Sequence, residues 1–230
     1  MQEPLLLLPG MMCDARLFEP QIAQFSGQRM VSVGALVGAD SFEALAARVL
    51  EQAPPRFAVA GLSMGGICAM EMMRTAPRRI SRLARLESNA LPDPPRIASD
   101  SETQTRKALA GVLHSVLREE LKPYFLADGP DRQRILDLCM AMANDLGPQV
   151  FANQSHAIQH RPDQRETLSS VTVPTLIMMG RKERLCPLDR LSLMHDLIPG
   201  SKLEIIDGAG HLPTLEKPQE TSEALQAWLN

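Results

Sequence analysis

The sequence predicts an α/β protein: a mostly parallel central sheet flanked by helices, interrupted by one long helical insertion. Three observations carry that prediction. Short apolar runs alternate with amphipathic stretches, the pattern of parallel strands covered by crossover helices. One run leads directly into Gly61-Leu62-Ser63-Met64-Gly65, a glycine-framed serine between a strand and a helix. Strand signals then stop between residues 89 and 170 and resume afterwards.

Leu5-Leu6-Leu7-Leu8, closed by Pro9-Gly10, has the continuous apolar character of a strand buried on both faces. Met30 to Leu36 reads as a second strand. The helix after it has Asp40 and Glu43 as its expected capping pair, with Phe42, Leu45, Ala46, Val49 and Leu50 on one face. Pro54-Pro55 ends that helix, and Phe57 to Ala60 starts the strand that runs into the serine turn. A helical stretch reaches Ala76-Pro77, and Ile80 to Leu86 is a further strand. The insertion opens with Pro92, Pro94 and Pro95 and shows helical spacing at Leu109, Val112, Leu113, Val116 and Leu117. The alternation returns with the strand Thr175 to Met179, a helix around Leu188 to Leu197, the strand Lys202 to Ile206, and a last helix carrying Leu225, Trp228 and Leu229. Residues 1–88 and 171–230 are thus expected to form the core, and 89–170 a helical lid or cap. No internal repeat or low-complexity segment interrupts this order.

Composition excludes several functions. The 230 residues are 44% hydrophobic and 22% charged, as in ordinary globular proteins, and the net charge of −3 offers nothing to attract nucleic acid. No apolar stretch is long enough to span a bilayer, and the N-terminus lacks a signal-peptide pattern, so a cytoplasmic protein without membrane association is expected. Cys13, Cys68, Cys139 and Cys186 are widely spaced and read as small buried hydrophobes, with neither a zinc site nor a disulfide framework. Thirteen Met against six Phe, one Tyr and one Trp point to a core or pocket lined by thioethers more than rings.

The chemistry converges on three residues. A sharp strand-to-helix turn would lift the Ser63 hydroxyl clear of the sheet and aim a helix N-terminus at it, where developing negative charge is favoured. A serine hydroxyl is barely ionised at neutral pH and needs an adjacent base. His211, in Gly208-Ala209-Gly210-His211-Leu212-Pro213 after the last strand, lies where open parallel sheets gather functional groups. His114, His156, His160 and His195 fall in helical or insertion segments and read as surface or structural histidines. A third group should orient the imidazole, in the order serine, acid, histidine. The loop after Thr175 to Met179 offers one carboxylate, Glu183, with Asp189 and Asp207 as fallbacks.

With these motifs in place, the chain resembles the α/β-hydrolase superfamily, in particular its small lid-containing esterase and lactonase members, over nearly its whole length. Gly61-Leu62-Ser63-Met64-Gly65-Gly66 looks like the nucleophile elbow, Pro174 to Pro187 like the acid loop, and GAGHLPTLEKP, from Gly208 to Pro218, like the histidine loop. The resemblance implies a triad of Ser63, Glu183 and His211, with the backbone amides of Met11 and Met64 as the oxyanion hole. It implies hydrolysis of an ester or thioester of a small molecule through an acyl-enzyme on Ser63, with no metal or organic cofactor and no nucleic-acid or membrane partner. Enol-lactonase or C–C bond hydrolysis on the same triad, or a binding protein that keeps the fold without the reaction, are the alternatives. Carboxylate-based dehalogenase chemistry does not fit, because Ser63 stands where that chemistry uses an acid.

Three departures from the family pattern stand out. Pro9 replaces the usual histidine before Gly10, the family's first hairpin has almost no counterpart, and Glu183 stands where aspartate is usual, which predicts a re-spaced triad or a slowed enzyme. Arg96, Arg106, Arg118, Lys122, Arg132, Arg134, Arg161 and Arg165 of the insertion are candidates for a carboxylate contact, though a solvated helix face accounts for most of them. Tyr124 is a candidate hydrogen-bond donor or a packing residue. Oligomeric state has no signature in the sequence.

Overall fold

A computed structural model describes residues 2–92 and 95–230 and, within these, the side chains of all but residues 95–99 and Pro123. Pro94 and the Arg96 side chain, both singled out above, lie outside the described residues. Six parallel strands form one sheet: β1 (Leu5–Leu8), β2 (Val31–Val33), β3 (Phe57–Leu62), β4 (Ile80–Leu86), β5 (Thr175–Gly180) and β6 (Lys202–Ile206), in the order β2-β1-β3-β4-β5-β6. Leu5 pairs with Val31 on one side and Ala58 on the other, so the strand order reverses at β1. Such a reversal opens a crevice beyond the carboxyl ends of the strands, here between the loops after β1 and β3.

Around the sheet lie α1 (Glu19–Phe25), α2 (Phe42–Gln52), α3 (Met64–Thr75), α4 (Pro95–Lys107), the short α5 (Leu113–Ser115), α6 (Arg132–Gln159), α7 (Arg165–Ser169), α8 (Leu188–Leu197), α9 (Pro213–Glu216) and α10 (Pro218–Leu229). The period-two alternation of strand side chains splits the interior in two. Leu5, Leu7, Ala58 and Ala60 face Phe25 of α1 and Leu225 and Trp228 of α10. Leu6, Leu8 and Val59 face Leu45 and Val49 of α2, Ile67 of α3 and Leu191 of α8. The elements α4 to α7 all fall between β4 and β5, as the helical insertion predicted. Ile135, Cys139 and Phe151 of α6 join the first cluster, while Leu168 of α7 joins the second.

Local details correct the sequence reading in two places. The second strand is only Val31–Val33, because it lies at the sheet edge with β1 as its one neighbour, and Gly34 N donates the next bond to Leu7 O at 2.9 Å. The cap of α2 is Ser41 and not Asp40: Ser41 is extended and its hydroxyl accepts from Ala44 N at 3.3 Å, while the Asp40 carbonyl meets His156 Nδ1 at 3.0 Å. The insertion also holds a break that periodicity does not show. Gly147 takes φ 80° and ψ 174° ahead of Pro148 and bends the 28-residue α6.

Candidate active site

Ser63 sits between β3 and α3 with φ 53° and ψ −113°, a left-handed conformation that costs a non-glycine residue about 1–3 kcal/mol. The flanking glycines make this turn possible. A Cβ on Gly61 would lie 2.3 Å from the backbone of Gly65, and one on Gly65 would lie 2.0 Å from Leu8 O. The turn is tied down by Ser63 N donating to Leu86 O at 2.8 Å and by Ser88 Oγ donating to Ser63 O at 3.0 Å.

His211 is buried on the loop after β6, and its Nδ1 hydrogen-bonds Glu183 Oε2. The loop is fixed from the insertion side. His211 N donates to Phe125 O at 2.7 Å, and the Phe125 ring tilts against the imidazole at 5.2 Å. Glu216, in α9, accepts from Gly210 N and Leu212 N at 3.0 Å and from Ala127 N at 2.7 Å, stitching the histidine loop to the insertion. Burial raises the Glu216 pKa, and these amides pull it back.

Glu183 reaches His211 because its loop supports the longer side chain. Its Oε1 accepts from Leu185 N and, at 3.2 Å, from Cys186 N. Burial alone would raise its pKa, but the charge and hydrogen bond of the imidazole, with the Leu185 amide, outweigh it and bring the pKa down to about 2. The fallback acids stand elsewhere: Asp189 is exposed in the first turn of α8, and Asp207 is exposed and bonded to Arg181.

Ser63 and His211 line one cavity of about 290 Å³, together with Met11 and Met64. Its walls are mostly apolar, built from Leu62, Ile67, Phe125, Ile158 and Leu212 among others. Among the described residues, the Ser63 hydroxyl and the Met11 and Met64 amides make no hydrogen bond within the protein, so all three are available to a ligand. The loop bearing Met11 is braced by buried Gln154 of α6, which accepts from Met12 N and donates to Leu36 O, both at 2.8 Å. Arg161 also lines the cavity, and its Nε is engaged with Leu91 O at 2.8 Å. Lys122 is buried with its ammonium 4.5 Å from the Phe125 ring centroid, and Tyr124 is exposed.

Among the described residues, Glu87, Glu183 and His211 are the one group of His, Cys, Asp or Glu side chains close enough to share a cation, with donor atoms within 4.8 Å of one another. Proton chemistry accounts for that group, since the imidazole Nδ1 and the Glu183 carboxylate already satisfy each other and a metal would have to part them.

Comparison with known proteins agrees with this fold. The Alpha/beta hydrolase family profile matches residues 5–224. The chain belongs to the alpha/beta hydrolase family. A pimeloyl-[acyl-carrier protein] methyl ester esterase of Aliivibrio salmonicida is 28% identical over 98% of this chain and 91% of its own length. In fold, the hydrolase is similar to a thermophilic esterase from Thermogutta terrifontis (TM-score 0.90, 23% identity, 100% of this chain and 90% of that one). It is also similar to the enol-lactonase from Burkholderia xenovorans LB400 (TM-score 0.89, 18% identity, 100% and 92% of the two chains). The family resemblance drawn from the three motifs is thereby borne out. In this hydrolase, sequence reasoning missed Glu87, Gln154 and Glu216. Glu216 lies inside the GAGHLPTLEKP stretch, whose match was a signal that could have found it; the other two have no local pattern.

Proposed function

We propose that this alpha/beta hydrolase is a carboxylesterase that cleaves an ester or thioester of a small molecule through an acyl-enzyme on Ser63. One observation carries the reading: Ser63, His211, Met11 and Met64 line a single mostly apolar cavity, with Glu183 bonded to the imidazole. Ser63 Oγ attacks the carbonyl while His211 takes its proton, Glu183 stabilises the imidazolium, and the Met11 and Met64 amides receive the oxyanion. His211 returns the proton to the leaving alcohol or thiol, and water repeats the sequence to free the acid. Residues 89–170 act as the cap that closes this cavity, contributing Phe125 and Ile158 to its walls.

The cavity's volume is at the small end for ligand pockets, which favours a short or medium acyl group over a bulky one. The relatives that act on a methyl ester of pimeloyl-[acyl-carrier protein] support an acyl chain whose leaving group is a small alcohol. The test is intact-mass analysis after fluorophosphonate treatment, followed by a panel of methyl esters, thioesters and lactones. A single adduct on the wild type, absent from Ser63→Ala, supports the reading; a well-folded wild type that takes no adduct overturns it.

A further inference from the structure

Glu87 follows β4 directly and is, among the described residues, the one buried acid beside the site whose role the esterase reading leaves open. It is 1% exposed and holds φ 48°, a backbone conformation uncommon outside glycine. One carboxyl oxygen, Oε1, accepts from Gly180 N at the end of β5. The other, Oε2, is fully buried and meets no donor. Its carboxyl group, that of Glu183 and the imidazole of His211 lie within 4.8 Å of one another.

Two buried carboxylates this close cannot both hold a charge without a cation between them. Among the described residues, no lysine or arginine acts on Glu87. Arg85, on the same strand, is turned to Met194 and to Ser88 Oγ. The charged groups that act on Glu87 are Glu183 and Glu216, both further acids, with the Cys186 thiol beside them; the His211 imidazole, also within 4.8 Å, has its Nδ1 bonded to Glu183. Glu183 has the imidazole and two loop amides to stabilise its charge, whereas Glu87 has one amide. The proton therefore belongs on Glu87.

We infer that Glu87 is a positioning residue whose protonated carboxyl donates its hydrogen bond to Glu183, making a chain of carboxylic acid, carboxylate and imidazole that fixes the orientation of His211. This rests on the esterase reading above. The chemistry suits a glutamate at position 183. Its additional side-chain torsion leaves the carboxylate free to turn, and a donor behind it removes that freedom. Burial first, then the hydrogen bond and charge of Glu183, push the Glu87 pKa well above the carboxylate range, in keeping with a neutral acid.

The experiment compares wild type, Glu87→Gln and Glu87→Leu in two ways: by pH-dependent kinetics on an activated ester, and by infrared spectroscopy of the protonated carboxyl band near neutral pH. Glutamine keeps a donor of the same shape that cannot ionise; leucine removes it. The wild type is expected to show the carboxylic-acid band and Glu87→Gln to lack it. Glu87→Gln should lose no more than about 3-fold in kcat and should abolish the alkaline loss of activity that ionisation of Glu87 causes. Glu87→Leu should lose about 10- to 100-fold in kcat with KM little changed, the scale of a catalytic group displaced by a fraction of an ångström to 1 Å. Absence of the band from the wild type, full kcat in Glu87→Leu, or an alkaline limb retained in Glu87→Gln would each overturn the inference. Should Glu87→Leu fail to fold, the band and the Glu87→Gln profile decide. Fluorophosphonate labelling of the same samples separates the two readings. An unlabelled wild type that still shows the band overturns the esterase, whereas a labelled wild type without the band overturns only the role given to Glu87.

Discussion

Shortening Glu183 to aspartate tests the geometry of the site more directly than removing it. The change withdraws the carboxylate by about 1.5 Å, the length of one C–C bond. In the native loop Oε1 bonds the amides of Leu185 and Cys186, and Oε2 bonds His211 Nδ1. An aspartate keeps its own loop's amides or reaches the imidazole, but not both. His211 cannot follow it, because its backbone is bonded to Phe125 O at 2.7 Å and its loop is stitched by Glu216. A misplacement of about 1 Å costs roughly 100-fold in rate, or about 2.7 kcal/mol of transition-state stabilisation. The assay is kcat/KM on a p-nitrophenyl ester at neutral pH, with active sites counted by fluorophosphonate titration and folding checked by thermal melting. Glu183→Asp is expected to fall by about two decades. Because its pKa is held to about 2, Glu183 stays ionised through the working pH range and imposes no acid limb of its own above that value. A folded Glu183→Asp enzyme as fast as the wild type, or faster, would refute the reasoning and show that the native glutamate is the misplaced one.

Other expectations follow from the same contacts. The raised pKa of Glu87 gives a stabilising contribution that is fully present below its ordinary value of 4.5 and lost as pH rises through the folded value. Wild type should therefore lose stability relative to Glu87→Gln by up to about 1.4 kcal/mol per pH unit between 4.5 and the folded value, as read by urea unfolding from pH 5 to 8; parallel pH dependences would contradict it. Gln154→Leu strands the buried Met12 amide and Leu36 carbonyl at a cost of about 1–3 kcal/mol each, and loosening the Met11 loop should lower kcat more than it raises KM. Gly65→Ala places a methyl carbon 2.0 Å from Leu8 O, a backbone atom that cannot swing aside, so little soluble protein and no serine labelling are expected.

The parts of the fold visible in the sequence are those whose physics is local. β1, β3 and β5 are buried throughout and appear as unbroken apolar runs. The second strand ends sooner than its sequence suggests, because Gly34, Ala35 and Leu36 continue the apolar character after the edge pairing has ended. Ser63 and His211 were legible because a glycine-framed turn and a post-strand loop are short-range patterns, and chain order then left Glu183 as the acid on its loop. Gln154 and Glu87 gave no comparable signal. Gln154 lies mid-helix and looks like any polar helical residue, and its work is to bond Met12 and Leu36 across the molecule. Glu87, between Leu86 and Ser88, reads as a polar residue ending a strand until β5 is set beside β4.

That blindness bears on how a glutamate at the acid position is to be read. Taken alone, the extra methylene suggests a re-spaced or slowed triad, and ordering the longer side chain costs up to about 2 kcal/mol of rotamer entropy. The contacts around Glu183 weigh the other way. Its charge-assisted hydrogen bonds to the imidazole and loop amides contribute about 1.5–3 kcal/mol each, more than enough to offset the entropy. Positions 87 and 183 are then one unit, and a double-mutant cycle tests that directly. With an aspartate at 183 withdrawn from its partner, Glu87→Leu should cost less than the roughly 10- to 100-fold it costs in the wild type. The two changes should depart from additivity in log kcat by more than the 0.3–0.5 kcal/mol typical of independent sites. Strict additivity, with both single variants folded and labelled at Ser63, would mean that Glu87 fills space behind the site and does not hold its acid.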